Sequence, residues 1–275
     1  MKLREMTRRE LDRVLGWAAD EGWNPGLDDA DPFHATDAGG FFVAEVEGRA
    51  VAAISVVNHT DALAFLGLYL CHPDYRGRGI GHALWTHALG HAGARAVGLD
   101  GVAAQQENYR KSGFVRAGST VRYAGVLPGA FHSGNGPVGA RERGALIAME
   151  ARATGYEKPR FLGAWLTDTA TRKTLVARKE GEPTGFVTVR KCREGFKIGP
   201  LVARNEAVAA ALIEAAGVAT GEAPVMIDVP EGERWLGAHC AGLGLVPVFE
   251  TARMYRGAAP SRGEVVSAVA TLELG

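Results

Sequence analysis

Two ten-residue words in this 275-residue chain are spaced like copies of one design. VAEVEGRAVA begins at Val43, and VARKEGEPTG begins at Val176. Each puts a Glu-Gly turn between two strand-like runs, which is a hairpin signature. Further on, Leu99-Asp100 is echoed by Ile227-Asp228, and Gly113-Phe114 by Gly244-Leu245. The offsets are 133, 128 and 131 residues. Near-constant offsets between such distant markers predict a diverged duplication, and the chain is long enough for two ordinary domains.

Within the first unit, Leu11, Val14, Leu15 and Ala18 recur at helical spacing, so residues 8–21 read as a helix. The opening run MKLREMTRRELDRVLG is charged and helix-like rather than a signal peptide. A loop rich in Asp, Gly and Pro spans 22–40. Strands follow at 41–46 and 50–57, then at 62–71. A helix runs from 81 to about 91, a short strand over 96–100, a helix over 105–112 and a last strand over 115–126. The order predicts an α/β (α+β) fold, each unit a mixed, mostly antiparallel twisted sheet flanked by helices. Residues 129–139 hold Gly, Pro, Ser and Asn and read as a linker between units 1–128 and 140–275.

Lys plus Arg and Asp plus Glu both number 31, so the chain carries no basic footprint for nucleic acid. Three scattered cysteines, Cys71, Cys192 and Cys240, form neither a disulfide framework nor a metal-binding spacing. No apolar run is long enough to span a bilayer. These features predict a cytoplasmic protein, monomer or homodimer, with no metal, membrane or nucleic-acid partner.

The chemistry concentrates after the third strand, at Arg76-Gly77-Arg78-Gly79-Ile80-Gly81. Glycines let a backbone turn sharply and approach a ligand closely. The helix that follows offers free N–H groups and the positive end of its dipole. Strand, glycine turn and helix start together form a socket for phosphate or pyrophosphate. The spacing matches neither the dinucleotide fingerprint nor the Walker loop. The second unit differs: its strand 196–203 carries Gly199-Pro200 and runs directly into a helix at 206–216, with no glycine loop between them.

The segment from Cys71 to Gly81, CHPDYRGRGIG, resembles the coenzyme A pyrophosphate loop of the GNAT N-acetyltransferase superfamily. The resemblance covers residues 41–126 and, more weakly, 175–257, as in tandem GNAT proteins with a degenerate second domain. It implies acetyl-CoA as acyl donor. It further implies pantetheine pairing with the backbone of Tyr69, Leu70 and Cys71, and pyrophosphate binding by Arg76, Gly77, Arg78, Gly79, Ile80 and Gly81, with His82 beside them. Asn108-Tyr109-Arg110-Lys111-Ser112-Gly113-Phe114 resembles the family's Tyr-x-x-x-Gly-Phe ending, which makes Tyr109 the general acid for the departing thiolate. A phenol with pKa near 10 suits a thiolate leaving group whose acid has pKa near 8.5.

Many family members carry an Asn seven residues before that tyrosine, where this chain has Val102. Asn108 or Gln105 is left to make that contact with the cofactor. The base is open among Glu45, Asp28, Asp29, Asp100, His72 and a water relay. Trp23, Phe33 and Asp28 lie in the region that often covers the acceptor, a small-molecule amine. Cys240 takes the place of Tyr109 in the second copy. The expected activity is acetyl transfer to a primary amine by direct attack in a ternary complex. A non-catalytic acyl-CoA sensor and a transferase of a longer acyl group are the alternatives.

Overall fold

The computed structural model describes residues 1–275. The first copy runs β1 (Lys2–Glu5), α1 (Arg8–Asp20), α2 (Ala30–Thr36), β2 (Phe41–Val46), β3 (Arg49–Asn58), β4 (Leu63–Cys71), α3 (Ile80–Ala92), β5 (Ala96–Val102), α4 (Gln106–Lys111) and β6 (Val115–Gly125). The second repeats that order: β7 (Asn135–Pro137), α5 (Arg143–Thr154), α6 (Pro159–Trp165), β8 (Arg172–Lys179), β9 (Glu182–Lys191), β10 (Phe196–Ala203), α7 (Glu206–Thr220), β11 (Val225–Pro230), α8 (Arg234–Gly242) and β12 (Val246–Arg256). A short strand, β13 (Val266–Ala268), follows.

The echoed words are the same backbone twice. Glu47 and Gly48 have φ of 51° and 76°; Glu180 and Gly181 have 54° and 86°. Two consecutive positive φ angles make the primed turn that suits the twist of a hairpin. Gly113 and Gly244, at 85° and 87°, likewise turn the chain after α4 and α8.

Three expectations are corrected. Lys2–Glu5, at the start of the run read as helix-like, is an edge strand paired antiparallel with β2, while the helix begins at Arg8 as its spacing predicts, where Thr7 and Glu10 form a reciprocal capping box. The loop 22–40 contains α2, whose seven residues with an internal Pro32 are too short to show a helical period. Three residues of the expected linker, Asn135–Pro137, pair with β8 just as β1 pairs with β2.

The strands form one continuous sheet in the order β1-β2-β3-β4-β5-β12-β6-β11-β10-β9-β8-β7, with β13 beside β10. The two copies therefore exchange their last strands: β12 lies between β5 and β6, and β6 lies between β12 and β11. Only β4 with β5 and β10 with β11 run parallel. The fold is α/β with a mixed, mostly antiparallel sheet flanked by helices, as the element order predicted, and its two copies share a single sheet.

Alternation along the strands supplies two faces. Phe41 and Val43 join the core formed with α1, α2, α5 and α6, which mixes residues of both copies, Leu11 and Phe33 with Phe161 and Trp165 among them. Phe42 and Ala44 join the opposite core under α3. A third core packs α7 and α8 on the second copy's strands.

Candidate active site

β4 and β5 pair from Leu63 with Ala96 to Leu66 with Leu99 and then part. The cause is a bulge: the β3–β4 register shifts between Ala53–Leu70 and Ser55–Gly67, and Leu68 sits at φ 47°. β4 continues through Tyr69, Leu70 and Cys71 along β3 alone, leaving its other edge as one wall of a wedge. The second copy has the same wedge between β10 and β11, which pair only as far as Ile198 with Ile227. There β13 fills it, pairing Leu201 with Ala268 and Val202 with Ser267.

The helix starts differ in the same sense. α3 opens on Gly79, φ 75°, with no side chain capping its N–H groups. Gly77 has the same φ, and a β-carbon on either glycine would meet nothing within 4 Å. These N–H groups are left for an anion. α7 opens on Asn205, whose side chain accepts a hydrogen bond from the Val208 N–H and so occupies that end.

The other loop residues divide by role. The Arg76 guanidinium donates to the Cys71 carbonyl at 2.9 Å and pairs with Glu21, tying the loop to the end of α1. Arg78 lies over the Tyr75 ring, 5.1 Å from its centre. Ile80 is buried under the sheet, and His82 is exposed on the first turn of α3. At Gly81 a β-carbon would lie 2.7 Å from the Tyr69 hydroxyl oxygen, so this glycine makes room for a protein phenol rather than for a ligand. Cys71 is half-buried, and burial pushes its thiol up despite Arg76 nearby, which does not suit a nucleophile.

Where the wedge opens, Trp23, Gly67, Tyr69, Asp100, Gln105, Tyr109, Arg122, Phe249, Thr251, Leu272 and Glu273 line a pocket of about 80 Å³. Tyr109 is held rigidly: Trp85 stacks on its ring at 5.3 Å, and Gly101 leaves it space, since a β-carbon there would lie 2.9 Å from the ring. Tyr69 meets Trp85 at an edge-type angle of 60°, also at 5.3 Å, linking the start of α3 to Tyr109. Burial, and then the neighbouring Tyr69, raise the Tyr109 phenol well above its ordinary value, so it keeps its proton at neutral pH.

Trp23 and Tyr109 thus come together with the wedge, and other expected residues do not. Phe33 is fully enclosed, stacked on Trp165 at 6.2 Å in the core between the copies, and is no part of the pocket. Asp28 accepts hydrogen bonds from the Thr169 and Thr171 hydroxyls, joining the copies away from the pocket. Asn108 is exposed and donates to Gln105 at 3.0 Å; Gln105 is the one that reaches the pocket.

Most base candidates are already engaged. Glu45 binds Arg4, Asp29 binds Arg190 and the Gly26 N–H, and His72 accepts from the Asp74 N–H on an exposed turn. Asp100 faces the pocket, but both of its oxygens are taken by Arg253 at 2.8 and 2.7 Å. Glu273, Phe249 and Thr251 were not legible from the sequence, because they reach this pocket from the second copy and the segment after it. Cys240, where the first copy has Tyr109, is buried with its thiol pushed up to about 11 by burial. A cavity of about 550 Å³ opens beside β13, lined by Ser119, Glu150, Arg253, Arg262 and Ser267, but the free strand edge of the first wedge is absent there.

The model of the Acetyltransferase (GNAT) family matches residues 5–114, and that of the Acetyltransferase (GNAT) domain matches 146–266. The chain is 34% identical over 270 residues to the holothin acyltransferase of Pseudoalteromonas sp. (strain SANK 73390), covering 95% of this chain and 90% of that protein. The chain belongs to the GNAT family. It is a tandem GNAT acyltransferase, with one family match in each copy. A putative acetyltransferase from Pyrococcus horikoshii shares the fold across 100% of this chain and 95% of its own, at TM-score 0.84 and 20% identity. A tandem GNAT protein from the clavulanic acid biosynthesis pathway does so over 96% and 99%, at TM-score 0.64 and 18% identity. No helix of the chain is long and apolar enough to cross a membrane.

Proposed function

We propose that this GNAT protein transfers the acetyl group of acetyl-CoA to the amine of a small molecule, by direct attack in a ternary complex, at one site per chain. The observation that carries this reading is the contrast between the two wedges. The first has an unpaired strand edge beside an uncapped glycine helix start; the second is filled by β13 and capped by Asn205. In the first, the backbone of Tyr69, Leu70 and Cys71 receives the pantetheine amides. The turn from Gly77 to Gly79 and the first N–H groups of α3 receive the pyrophosphate. Tyr109 gives its proton to the departing thiolate. A pocket of about 80 Å³ suits a short acyl group and a compact acceptor better than a long acyl chain. The likeness to a holothin acyltransferase supports a small-molecule acceptor.

The test is thiol release from acetyl-CoA with a panel of amines: holothin, aniline, benzylamine, spermidine and L-lysine. Calorimetry with coenzyme A accompanies it. Acetyl transfer to a panel member with one coenzyme A site per chain is the expected result. Binding of coenzyme A with no thiol release for any amine would make the protein a sensor. Two equivalent sites would end the assignment of the first copy alone. Faster release from octanoyl-CoA than from acetyl-CoA would replace acetyl by a longer acyl group.

A further inference from the structure

The segment 269–275 passes through the seam between the copies and is fixed along its length. The Val269 N–H donates to the Asp228 carbonyl at 2.9 Å, Arg190 donates to the Ala270 carbonyl at 2.9 Å, and His59 bonds the Leu274 carbonyl at 2.7 Å. Gly67, at the bulge that opens the wedge, has no side chain, and a β-carbon there would lie 2.0 Å from the Glu273 carbonyl oxygen. Glycine at this point lets the segment lie directly on β4, which brings the Glu273 side chain into the pocket of Tyr109.

Glu273 is 4% exposed. Its Oε2 accepts from the Thr271 hydroxyl, and its Oε1 accepts no hydrogen bond from the protein. No lysine or arginine forms a direct ion pair with it. Burial opposes its charge, but Lys197, the Thr271 hydroxyl, Arg190 and Arg122 outweigh burial and hold the carboxyl below its usual range. It is therefore an anion at neutral pH. Oε1 is the oxygen left open at the pocket wall, free to accept an N–H from a bound molecule. Asp100, the other pocket carboxylate, has both oxygens bound by Arg253. The remaining walls are mainly apolar, and four of their residues are aromatic: Trp23, Tyr69, Tyr109 and Phe249.

Resting on the acetyl-transfer reading above, we infer that Glu273 is the catalytic group that receives the N–H of the acceptor, and that the acceptor is a compact amine on a flat, apolar body. The amine lone pair forms the new bond to the thioester carbonyl carbon, and the carbon–sulfur bond breaks. The proton leaving nitrogen goes to Glu273, and the sulfur takes the Tyr109 proton. Transfer of the Glu273 proton back to the Tyr109 phenolate through water restores both groups. The base thus reaches the first copy's site from the segment that follows the second copy.

The experiment uses the fastest amine of the panel with Glu273→Gln and Glu273→Ala in the full chain, and coenzyme A calorimetry to report folding. Turnover of the Gln variant should fall by about 10²–10⁴-fold, the usual range for a positioned base, with coenzyme A affinity unchanged. Added formate should restore part of the turnover of the Ala variant, because it supplies a carboxylate that a purely structural defect would not use. Near-normal turnover of Glu273→Gln overturns the proposal. So does lost turnover that formate does not restore in an Ala variant with normal coenzyme A affinity. If the Ala variant no longer binds coenzyme A, the Gln variant alone decides. In either failure, a Tyr109→Phe defect in the same assay leaves the acetyl-transfer reading standing. No thiol release from the unmodified protein with any amine removes that reading and this proposal together. Aniline and benzylamine should outpace spermidine and L-lysine; the reverse order overturns the flat-acceptor part.

Discussion

The Arg122 guanidinium holds the Asp228 carboxylate through two nitrogens, at 2.7 and 2.9 Å. The two residues face each other across β6 and β11. Arg253 and Asp100 face each other across β12 and β5 and bond the same way. Each pair sits where a last strand has crossed into the other copy's sheet. A one-residue slip of an exchanged strand would turn its arginine to the opposite face, so the pairs fix the register as well as bridging the copies.

Both members of the Arg122–Asp228 pair are buried, with side chains 6% exposed. Removing one partner leaves a charge uncompensated in the sheet, so Asp228→Ala should cost about 3–5 kcal/mol. The double variant Arg122→Met, Asp228→Leu removes both charges and should lose less than Asp228→Ala alone. Urea unfolding measures all of these. A double variant that loses the sum of the losses of Arg122→Met and Asp228→Leu, each made alone, would show that the pair is not coupled.

The sequence carried the parts of the fold that are local. The Glu-Gly turns, the amphipathic α1 and the strand–glycine–helix passage at Gly79 are each written within about a dozen residues. The strand exchange is not local: nothing in 115–126 says that β6 will pair with β11, because either neighbour satisfies its alternation. β7 and β13 have three residues each and take their conformation from β8 and β10. Of the site, Tyr109 and Trp23 were legible by position. Glu273 was not, since it lies about two hundred residues from Gly67 and only the tertiary path of 269–275 brings them together. Phe33 and Asp28 were drawn to the pocket by residue type, and the structure spends both on joining the copies.

His59 gives stability a pH dependence. Burial, then the nearby Lys158 charge, lower its imidazole to about 3, against some support from the Leu274 carbonyl. The unfolded chain takes up this proton near pH 6.5. Between about 6.5 and 3 the unfolded state therefore binds one more proton than the folded state, and stability falls as pH falls, by up to ~1.4 kcal/mol per pH unit from this group. Urea unfolding of the unmodified protein and of His59→Asn across that window gives the check. The advantage of the unmodified protein should shrink toward acid; parallel curves would mean that His59 is not held neutral.

Gly79 separates backbone strain from ligand contact. An alanine there would sit in the left-handed region at φ 75° yet touch no protein atom. Gly79→Ala should therefore destabilise by about 1–3 kcal/mol. It should also weaken coenzyme A binding by roughly tenfold or more, or ~1.4 kcal/mol, because the methyl group projects into the space proposed for the pyrophosphate. Gly181→Ala is the control, at φ 86° in open space on the β8–β9 hairpin. It should show similar strain with unchanged affinity. Equal affinity in the two variants, measured by calorimetry, would remove the loop from the cofactor site.

Tyr109→Phe tests the acid. Phenylalanine keeps the stack on Trp85 and the contact with Phe114 at 6.4 Å, so packing should hold. The Tyr109 hydroxyl forms no hydrogen bond within the protein, so its loss should leave stability within about 0.5 kcal/mol, as for substitutions that break no named interaction. Without a donor for the departing sulfur, kcat should drop by roughly 10²–10⁴-fold. Coenzyme A affinity should change little, because the proposed cofactor site draws its main contacts from the wedge edge and the α3 start. Tyr69 is the nearest competing phenol, and Tyr69→Phe separates the two. If Tyr69→Phe loses turnover and Tyr109→Phe does not, the proton comes from β4 rather than from α4. If Tyr109→Phe instead loses coenzyme A affinity at unchanged kcat, the residue binds the cofactor and the thiolate takes its proton from water.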